Sequence, residues 1–136
     1  MEHEPAVELL DILIGNARRI LEPGFGVDRA EATFFDILAL LRERPDLKAP
    51  FLQQIQRTLQ QPAPWVFGDG LVPRELIELA AHELRWPEFE ALAADRLETF
   101  FHGDRALAAS DPARSIIEAL ADDWEDRDFY RAYSKA

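Results

Sequence analysis

Apolar residues recur at intervals of three and four along most of the chain, and no stretch shows the strict alternation that is typical of a half-buried strand. Proline and glycine interrupt this pattern about every fifteen residues, which divides it into six segments. A helix that packs one face on a core produces such a stripe. The sequence therefore predicts an all-α fold of about six to seven helices, arranged as antiparallel helical hairpins in one domain that covers residues 1–136.

Three helices are predicted before a loop that is rich in proline and glycine. The first covers residues 5–21 and stops at Pro23-Gly24, the second covers 28–44, and the third covers 50–61. Asp28 followed by Glu31 resembles a capping box, with the aspartate in the cap position. We therefore expect the second helix to begin at Asp28.

The loop of residues 62–70 carries two large aromatic side chains, Trp65 and Phe67. Its proline and glycine content is too high for regular structure. Such rings either fill the gap between two helical halves or stand exposed as anchors for a partner, and packing is the commoner outcome. Together with Trp86, they are the residues that the sequence offers as candidates for binding a partner protein, because tryptophan is enriched among interface hot spots.

Three further helices are predicted after the loop, at residues 73–86, 87–103 and 111–120. Gly103 is expected to end the fifth helix, and Asp111 followed by Pro112 is a strong start for the sixth. The chain then ends in a segment rich in aromatic residues: Trp124, Phe129, Tyr130 and Tyr133.

A weak internal repeat relates the fourth and sixth predicted helices at a spacing of 40 residues. Its matching positions are Leu76-Ile77-Glu78 with Ile116-Ile117-Glu118, Ala81 with Ala121, and Phe89 with Phe129. This period and the tight turns resemble those of HEAT-type helical repeats, over roughly residues 28–133. The resemblance implies a curved stack of helix pairs, an α-α superhelix. An irregular helical bundle would produce the same stripes and stays an alternative.

The charge balance narrows the classes of partner. Fifteen basic and 26 acidic residues give a formal net charge of −11. Such a field repels phosphate backbones and anionic lipid, so we expect neither nucleic-acid nor membrane binding. It attracts a basic protein surface and speeds the encounter with it. Lysine occurs twice and arginine 13 times, a bias that we associate with a GC-rich bacterial genome.

Composition also limits the chemistry and the compartment. The chain has no cysteine, which excludes disulfides, thiolate metal sites and cysteine nucleophiles. The acidic start does not resemble a secretory signal, and no apolar run approaches the length that spans a bilayer. We therefore expect a soluble, cytoplasmic protein.

No motif predicts a metal, a cofactor or a nucleophile. His82-Glu83-Leu84-Arg85-Trp86 approaches the zinc-protease signature, but Trp86 stands where the second histidine is needed, and surface histidines are the better interpretation. The run from Asp122 to Asp128 holds five carboxylates without the glycine and glutamate of a calcium loop, which indicates a solvated acidic turn. The three serines, at positions 110, 115 and 134, match no catalytic motif.

Two further features could belong to an interaction surface. Arg96 lies inside the apolar stripe of the fifth predicted helix, where it either pairs with a buried acid or, as we expect by default, extends its charge to solvent. The third predicted helix carries an amide face that could pack against another subunit: Gln53, Gln54, Gln56, Gln60 and Gln61.

These observations predict a non-catalytic, acidic helical domain that binds another protein, of the adaptor or toxin-neutralising type, and a homo-oligomer is compatible with them. The rival hypothesis is a small helical enzyme or ligand-binding domain that uses clustered carboxylates, with or without a divalent metal. Many accidental carboxylate pairs among 26 acids keep that alternative open.

Overall fold

A computed structural model describes residues 1–62 and 70–134, and every regular element in those ranges is helical. The predicted all-α class is therefore confirmed, with six α-helices in the described ranges. They are α1 (His3–Leu21), α2 (Val27–Glu43), α3 (Lys48–Leu59), α4 (Arg74–Leu84), α5 (Pro87–Phe101) and α6 (Pro112–Ala119). Short 3₁₀ helices cover Pro45–Leu47, Glu125–Phe129 and Arg131–Tyr133.

Helix α4 lies at the centre of the packing. It contacts α2 on one side and α6 on the other, while α1 packs on α2, α5 packs on α6, and α3 packs on α5. Seven successive residues, from Leu76 to His82, are buried. A helix buried all round must carry its polar side chains into the interior, and Glu78 and His82 are such side chains.

The core is built from the predicted stripes. Its largest fully buried rings are Phe34 of α2, Phe51 of α3 and Phe89 of α5, and aliphatic residues of α1 and α4 surround them. Burying each such ring stabilises the fold by roughly 1.5–3 kcal/mol relative to leaving it in water. Leu79, which the sequence places off the main stripe of α4, is fully buried as well.

Some helices begin and end at the residues predicted from the capping and stop signals, and others do not. Asp111 caps α6 by accepting a hydrogen bond from the Ala113 amide at 2.9 Å. After α5, the amide of Gly103, at φ +81°, donates to the Leu97 carbonyl at 3.0 Å, which closes the helix in a left-handed turn.

The predicted capping box of α2 is wrong. Gly26 occupies the cap position, no side chain bonds to the first amides, and α2 begins at Val27. The carboxylate of Glu31 instead bonds to backbone amides near the end of the chain, a long-range contact that competes with a local cap. Helix α3 also begins two residues before the predicted Pro50, since a 3₁₀ turn leads directly into it.

Arg96 does not extend to solvent, so our default expectation for this residue is wrong. Its guanidinium makes a bidentate ion pair with Asp111, at 2.7 and 3.0 Å, and donates to the carbonyls of Leu59 and Gln61. The ring of Phe100 lies 4.7 Å away. Because these partners come from the end of α3 and the start of α6, Arg96 joins both to α5.

The positions aligned by the internal repeat have unequal environments. Leu76 and Ile116 are both buried, in agreement with the alignment, but Phe89 is buried while Phe129 is 65% exposed. The neighbouring Tyr130, 2% exposed, occupies the core instead. Among the described residues, no helix is both long and apolar enough to cross a membrane.

Candidate functional site

Polar chemistry concentrates where the end of the chain packs on α4. Residues 122–134, here called the C-terminal segment, contain the last two 3₁₀ helices and contact α2 and α4. The segment has an outer layer of carboxylates and an inner layer of aromatic rings. The carboxylates face solvent, and the rings attach the segment to the core.

The outer layer, here called the acidic face, consists of the exposed residues Asp122, Asp123, Glu125 and Asp128. A concavity of about 560 Å³ opens among them, with Trp124 and Tyr133 also in its lining. Asp122, whose side chain is 98% exposed, pairs with Arg85 at 3.1 Å. The other three form no ion pair with a described residue. Arg127 also lines the concavity but pairs with none of these three carboxylates, which face water, where they can attract a cation.

The aromatic rings of the inner layer pack on the imidazole of His82. The Nδ1 atom of His82 lies 2.7 Å from the Ala119 carbonyl of α6, and its Nε2 atom lies 3.2 Å from Nη1 of Arg127. Arginine can only donate, so Nε2 accepts and the proton sits on Nδ1. The ring centroids of Trp124 and Tyr133 lie 4.9 and 5.7 Å from that of His82. His82 is therefore a buried anchor, and the expectation of a surface histidine is wrong for this residue.

A chain of polar contacts extends from His82 to α2. The guanidinium of Arg127 lies 4.2 Å from the centroid of the Tyr133 ring, and the Tyr133 hydroxyl donates to Oε2 of Glu83. The other oxygen of Glu83 accepts from Arg42 of α2 at 2.8 Å. The segment is thus tied to two helices by groups that are hydrogen-bonded at both ends.

The pKa values of Glu83 and Tyr133 are shifted by burial and by their hydrogen bond to each other. Burial alone would raise the pKa of Glu83, but the hydrogen bonds from Tyr133 and Arg42 outweigh it and the net pKa is lowered. Burial, followed by the hydrogen bond to Glu83, raises the pKa of the Tyr133 phenol. Glu83 is therefore an ionised acceptor that favours the docked position of Tyr133.

A second acidic group lies deeper, one helical turn before His82. Burial raises the pKa of Glu78 to about 7, against the opposing effect of Arg74, whose Nε lies 2.9 Å from Oε2. Glu75 on the same helix and Asp126 of the segment add to the rise. Arg74 also donates to Ser115 and to the Ser110 carbonyl. One arginine therefore serves several acceptors in this region.

The residues singled out from sequence have different positions. Trp65 and Phe67 lie outside the described residues. Trp86 precedes α5 and is half-buried: its ring stacks on Phe89 with centroids 5.6 Å apart and meets Phe51 edge-on at 6.3 Å. The ammonium of Lys48 lies 5.1 Å from the same ring. Partner binding by these three aromatic residues stays a prediction.

Of the amide face on α3, only Gln54 is buried, and its side chain donates to Asp11 of α1 at 2.6 Å. Gln53, Gln56, Gln60 and Gln61 are exposed. The amide face is therefore split between a contact with α1 and solvent.

The chemistry available at the segment suits recognition of a cation better than covalent catalysis. Ser115 accepts a hydrogen bond from Arg74, and its hydroxyl donates to the Asp111 carbonyl at 3.4 Å. No three His, Asp or Glu side chains in residues 1–62 and 70–134 are arranged to hold a metal ion. His82, Arg127 and Tyr133 are engaged with one another.

Sequence reasoning found the acidic run but missed the residues that hold it. His82 and Glu83 attracted notice only through a zinc motif that is incomplete. The available signal was the uninterrupted buried character of α4, whose polar members must face partners in the interior. No family model, curated protein or solved structure matches this chain.

Proposed function

We propose that this protein is a non-catalytic helical domain that binds a basic segment of another protein through its acidic face. The observation that carries the proposal is that Asp123, Glu125 and Asp128 are exposed around a concavity and form no ion pair with a described residue. Their backbone is held by the docking of Trp124 and Arg127 on His82. A face whose carboxylates are already positioned loses less conformational entropy on binding than a flexible acidic tail would lose.

The rest of the molecule fits a binding scaffold. We propose a stack of helix pairs similar to HEAT repeats, supported by the packing of α2 on α4, α4 on α6 and α3 on α5. The net charge of −11 adds long-range attraction for a basic partner. An adaptor or toxin-neutralising role in a bacterial cytoplasm is the biological setting that we propose for this chemistry.

The test uses a short arginine-rich peptide as the probe and two matched variants. The first variant neutralises the acidic face: Asp123→Asn, Glu125→Gln and Asp128→Asn. The control removes the same charge from exposed positions of α2 and α5: Asp36→Asn, Asp95→Asn and Glu90→Gln. We expect the first variant to weaken peptide binding about tenfold and the control about twofold or less, as measured by fluorescence anisotropy at low salt.

Added salt should slow association of the peptide with the wild-type protein more than it speeds dissociation, because screening acts on the long-range attraction. Equal weakening by the two variants would contradict the proposal, since net charge alone would then explain binding. Absence of measurable binding to the wild-type protein at low salt would contradict it as well.

One observation favours the rival hypothesis of a carboxylate enzyme. Glu78 has a pKa of about 7, which is the range that general acid–base catalysis uses. Its side chain is only 9% exposed and is bonded to Arg74, so a substrate could reach it only if neighbouring groups moved. A product formed from a candidate substrate by the wild-type protein, and lost with Glu78→Gln, would favour the enzyme.

A further inference from the structure

Helix α1 has one side packed on the core and one side that faces solvent. The packed side carries the buried residues of the helix: Ala6, Leu10, Ile14, Ala17 and Leu21. The opposite side has a row of residues, here called the outer face of α1, that consists of Glu8, Ile12, Gly15 and Arg19, of which only Gly15 is partly buried. The four residues follow one another at spacings of four, three and four, so they lie within about 60° of one another around the helix.

Gly15 has no role that the described part of the chain explains. It lies in the middle of α1, although glycine is the weakest helix former after proline. Among the described residues, a Cβ atom at this position would meet only Nη2 of Arg18, at 3.6 Å, which is an ordinary van der Waals distance. No described group therefore needs the space that the glycine leaves open. On an open helix face, such a missing side chain allows a second helix to approach closely.

The outer face also carries two opposite charges. Glu8 lies towards the beginning of α1 and Arg19 towards its end, and neither forms an ion pair with a described residue. Between them, Ile12 is 54% exposed. The order along the chain is acid, apolar residue, glycine, base, so an antiparallel copy places a base opposite the acid and a glycine opposite the apolar residue. A uniformly basic segment of another protein would instead meet Arg19 with like charge.

We propose that the outer face of α1 is a homodimer interface, in which α1 of one copy packs antiparallel on α1 of a second copy. A twofold axis then passes between residues 13 and 14. Glu8 of each copy meets Arg19 of the other, and Ile12 packs over Gly15. The spacing of four, three and four is that of a coiled-coil seam, whose helix axes lie roughly 8–10 Å apart. The dimer does not require the acidic face to bind a partner.

The dimer that we propose is weak and reversible. Its seam covers about three turns of one helix, which is a small surface compared with the roughly 1,600 Å² of a standard stable interface. Each chain also has a net charge of −11, and the repulsion between two such chains opposes pairing. At physiological ionic strength this repulsion is screened beyond about 8 Å, whereas the contacts between Glu8 and Arg19 act at shorter range. We expect a dissociation constant on the order of 100 μM.

Reversal of the two charges tests the pairing. Glu8→Arg and Arg19→Glu each place like charges opposite one another at both ends of the seam. We expect either variant to weaken self-association at least tenfold, as measured by sedimentation equilibrium at about 0.15 M salt and up to about 1 mM protein. An equimolar mixture of the two variants should form a heterodimer about as tight as the wild-type dimer, because every contact then joins an acid to a base again.

Glu90→Arg is the control, since it makes the same change of charge at an exposed position of α5, and it should associate as wild type does. Gly15→Gln fills the space over the glycine with a better helix former, so we expect a protein that is more stable to heat and at least tenfold weaker in self-association. A wild-type protein that stays monomeric at 1 mM would overturn the proposal and leave the outer face to solvent or to another protein. Failure of the two charge-reversal variants to associate when mixed would overturn it as well.

Discussion

Two arginine–carboxylate pairs on neighbouring helices differ in how completely their charges are matched. Arg96 and Asp111 have side chains 1% and 5% exposed, and two parallel hydrogen bonds join them. The remaining donors of Arg96 reach backbone carbonyls, and Asp111 also caps α6. Arg74 and Glu78 are joined by a single contact, 2.9 Å from Nε to Oε2, and the side chain of Arg74 is 36% exposed.

The comparison separates a fixed junction from a site that responds to pH. At Arg96–Asp111, one cation pairs with one anion. Further hydrogen bonds join Arg96 to two backbone carbonyls and Asp111 to the Ala113 amide, which makes the geometry costly to change. At Arg74–Glu78, burial raises the pKa of Glu78 and the charges of Glu75 and Asp126 add to the rise, so a proton on Glu78 becomes an alternative to the ionised pair. Both members of the Arg96–Asp111 pair are buried, whereas the buried carboxylate of Glu78 faces an arginine that is partly exposed.

Breaking the matched pair should have the largest effect on stability. Asp111→Ala removes the ion pair of a buried Arg96 and the cap of α6 together, and we expect a loss of about 3–5 kcal/mol in the free energy of unfolding. Urea denaturation followed by circular dichroism measures it. Glu118→Ala is the control on the same helix, because its pair with Arg114 is exposed, and it should change stability by about 0.5 kcal/mol or less. Similar losses in the two variants would contradict the central role of the Arg96–Asp111 pair.

Neutralising the second pair should have a smaller effect that depends on pH. The stabilisation from the raised pKa of Glu78 is present below about pH 4.5 and is lost as pH rises through about 7. Its upper limit is roughly 3 kcal/mol for the complete shift. Glu78→Gln should therefore unfold with a flatter dependence on pH than wild type, with the difference greatest at about pH 8.

Thermal unfolding of wild type and Glu78→Gln across this pH range provides the measurement. The exposed Glu90→Gln variant serves again as the control and should keep the wild-type dependence. If the melting temperatures of wild type and Glu78→Gln changed in parallel with pH, the Glu78 carboxyl would titrate in the ordinary range.

A third carboxylate, that of Glu83, extends the comparison, and its variant should have the smallest effect. Glu83 lies on the same helix as Glu78 but receives hydrogen bonds from Arg42 and Tyr133, and its pKa is lowered. Tyr133→Phe keeps the ring and removes one bond, so we expect a loss of about 1 kcal/mol at neutral pH. The pKa of Glu83 should rise, as measured by NMR titration. An unchanged pKa would mean that Arg42 alone keeps Glu83 ionised.

Sequence patterns predicted the elements well where local chemistry acts alone. Asp111 before Pro112 and Gly103 after α5 behave as predicted, because a cap needs only groups within one turn. Asp28 and Glu31 have the same local signature as a capping box. Glu31 instead found partners about 100 residues away, and such competition has no trace in a short window of sequence.

From sequence, the acidic run was interpreted as a solvated turn, and Trp65, Phe67 and Trp86 were named as the partner-binding candidates instead. The acidic run was recognisable because four of its five carboxylates remain in solvent, where composition and exposure agree. The groups that hold it were not recognisable as a set. His82 and Glu83 lie on α4, Arg127 and Tyr133 lie on the segment, and Arg42 lies on α2. Only the packing of these three elements makes them neighbours.

The sequence by itself determined the helical class, the approximate helix limits, the absence of thiol chemistry and the acidic field, since all four depend on residue type and short-range spacing. The tertiary structure decided which acids are paired, which are buried and which are exposed to solvent. Arg96 shows the reason: its stripe position allows either solvent or a buried acid, and Asp111, 15 residues away, decides between them. The energy of a charge depends on its surroundings in space, and folding brings distant residues into those surroundings.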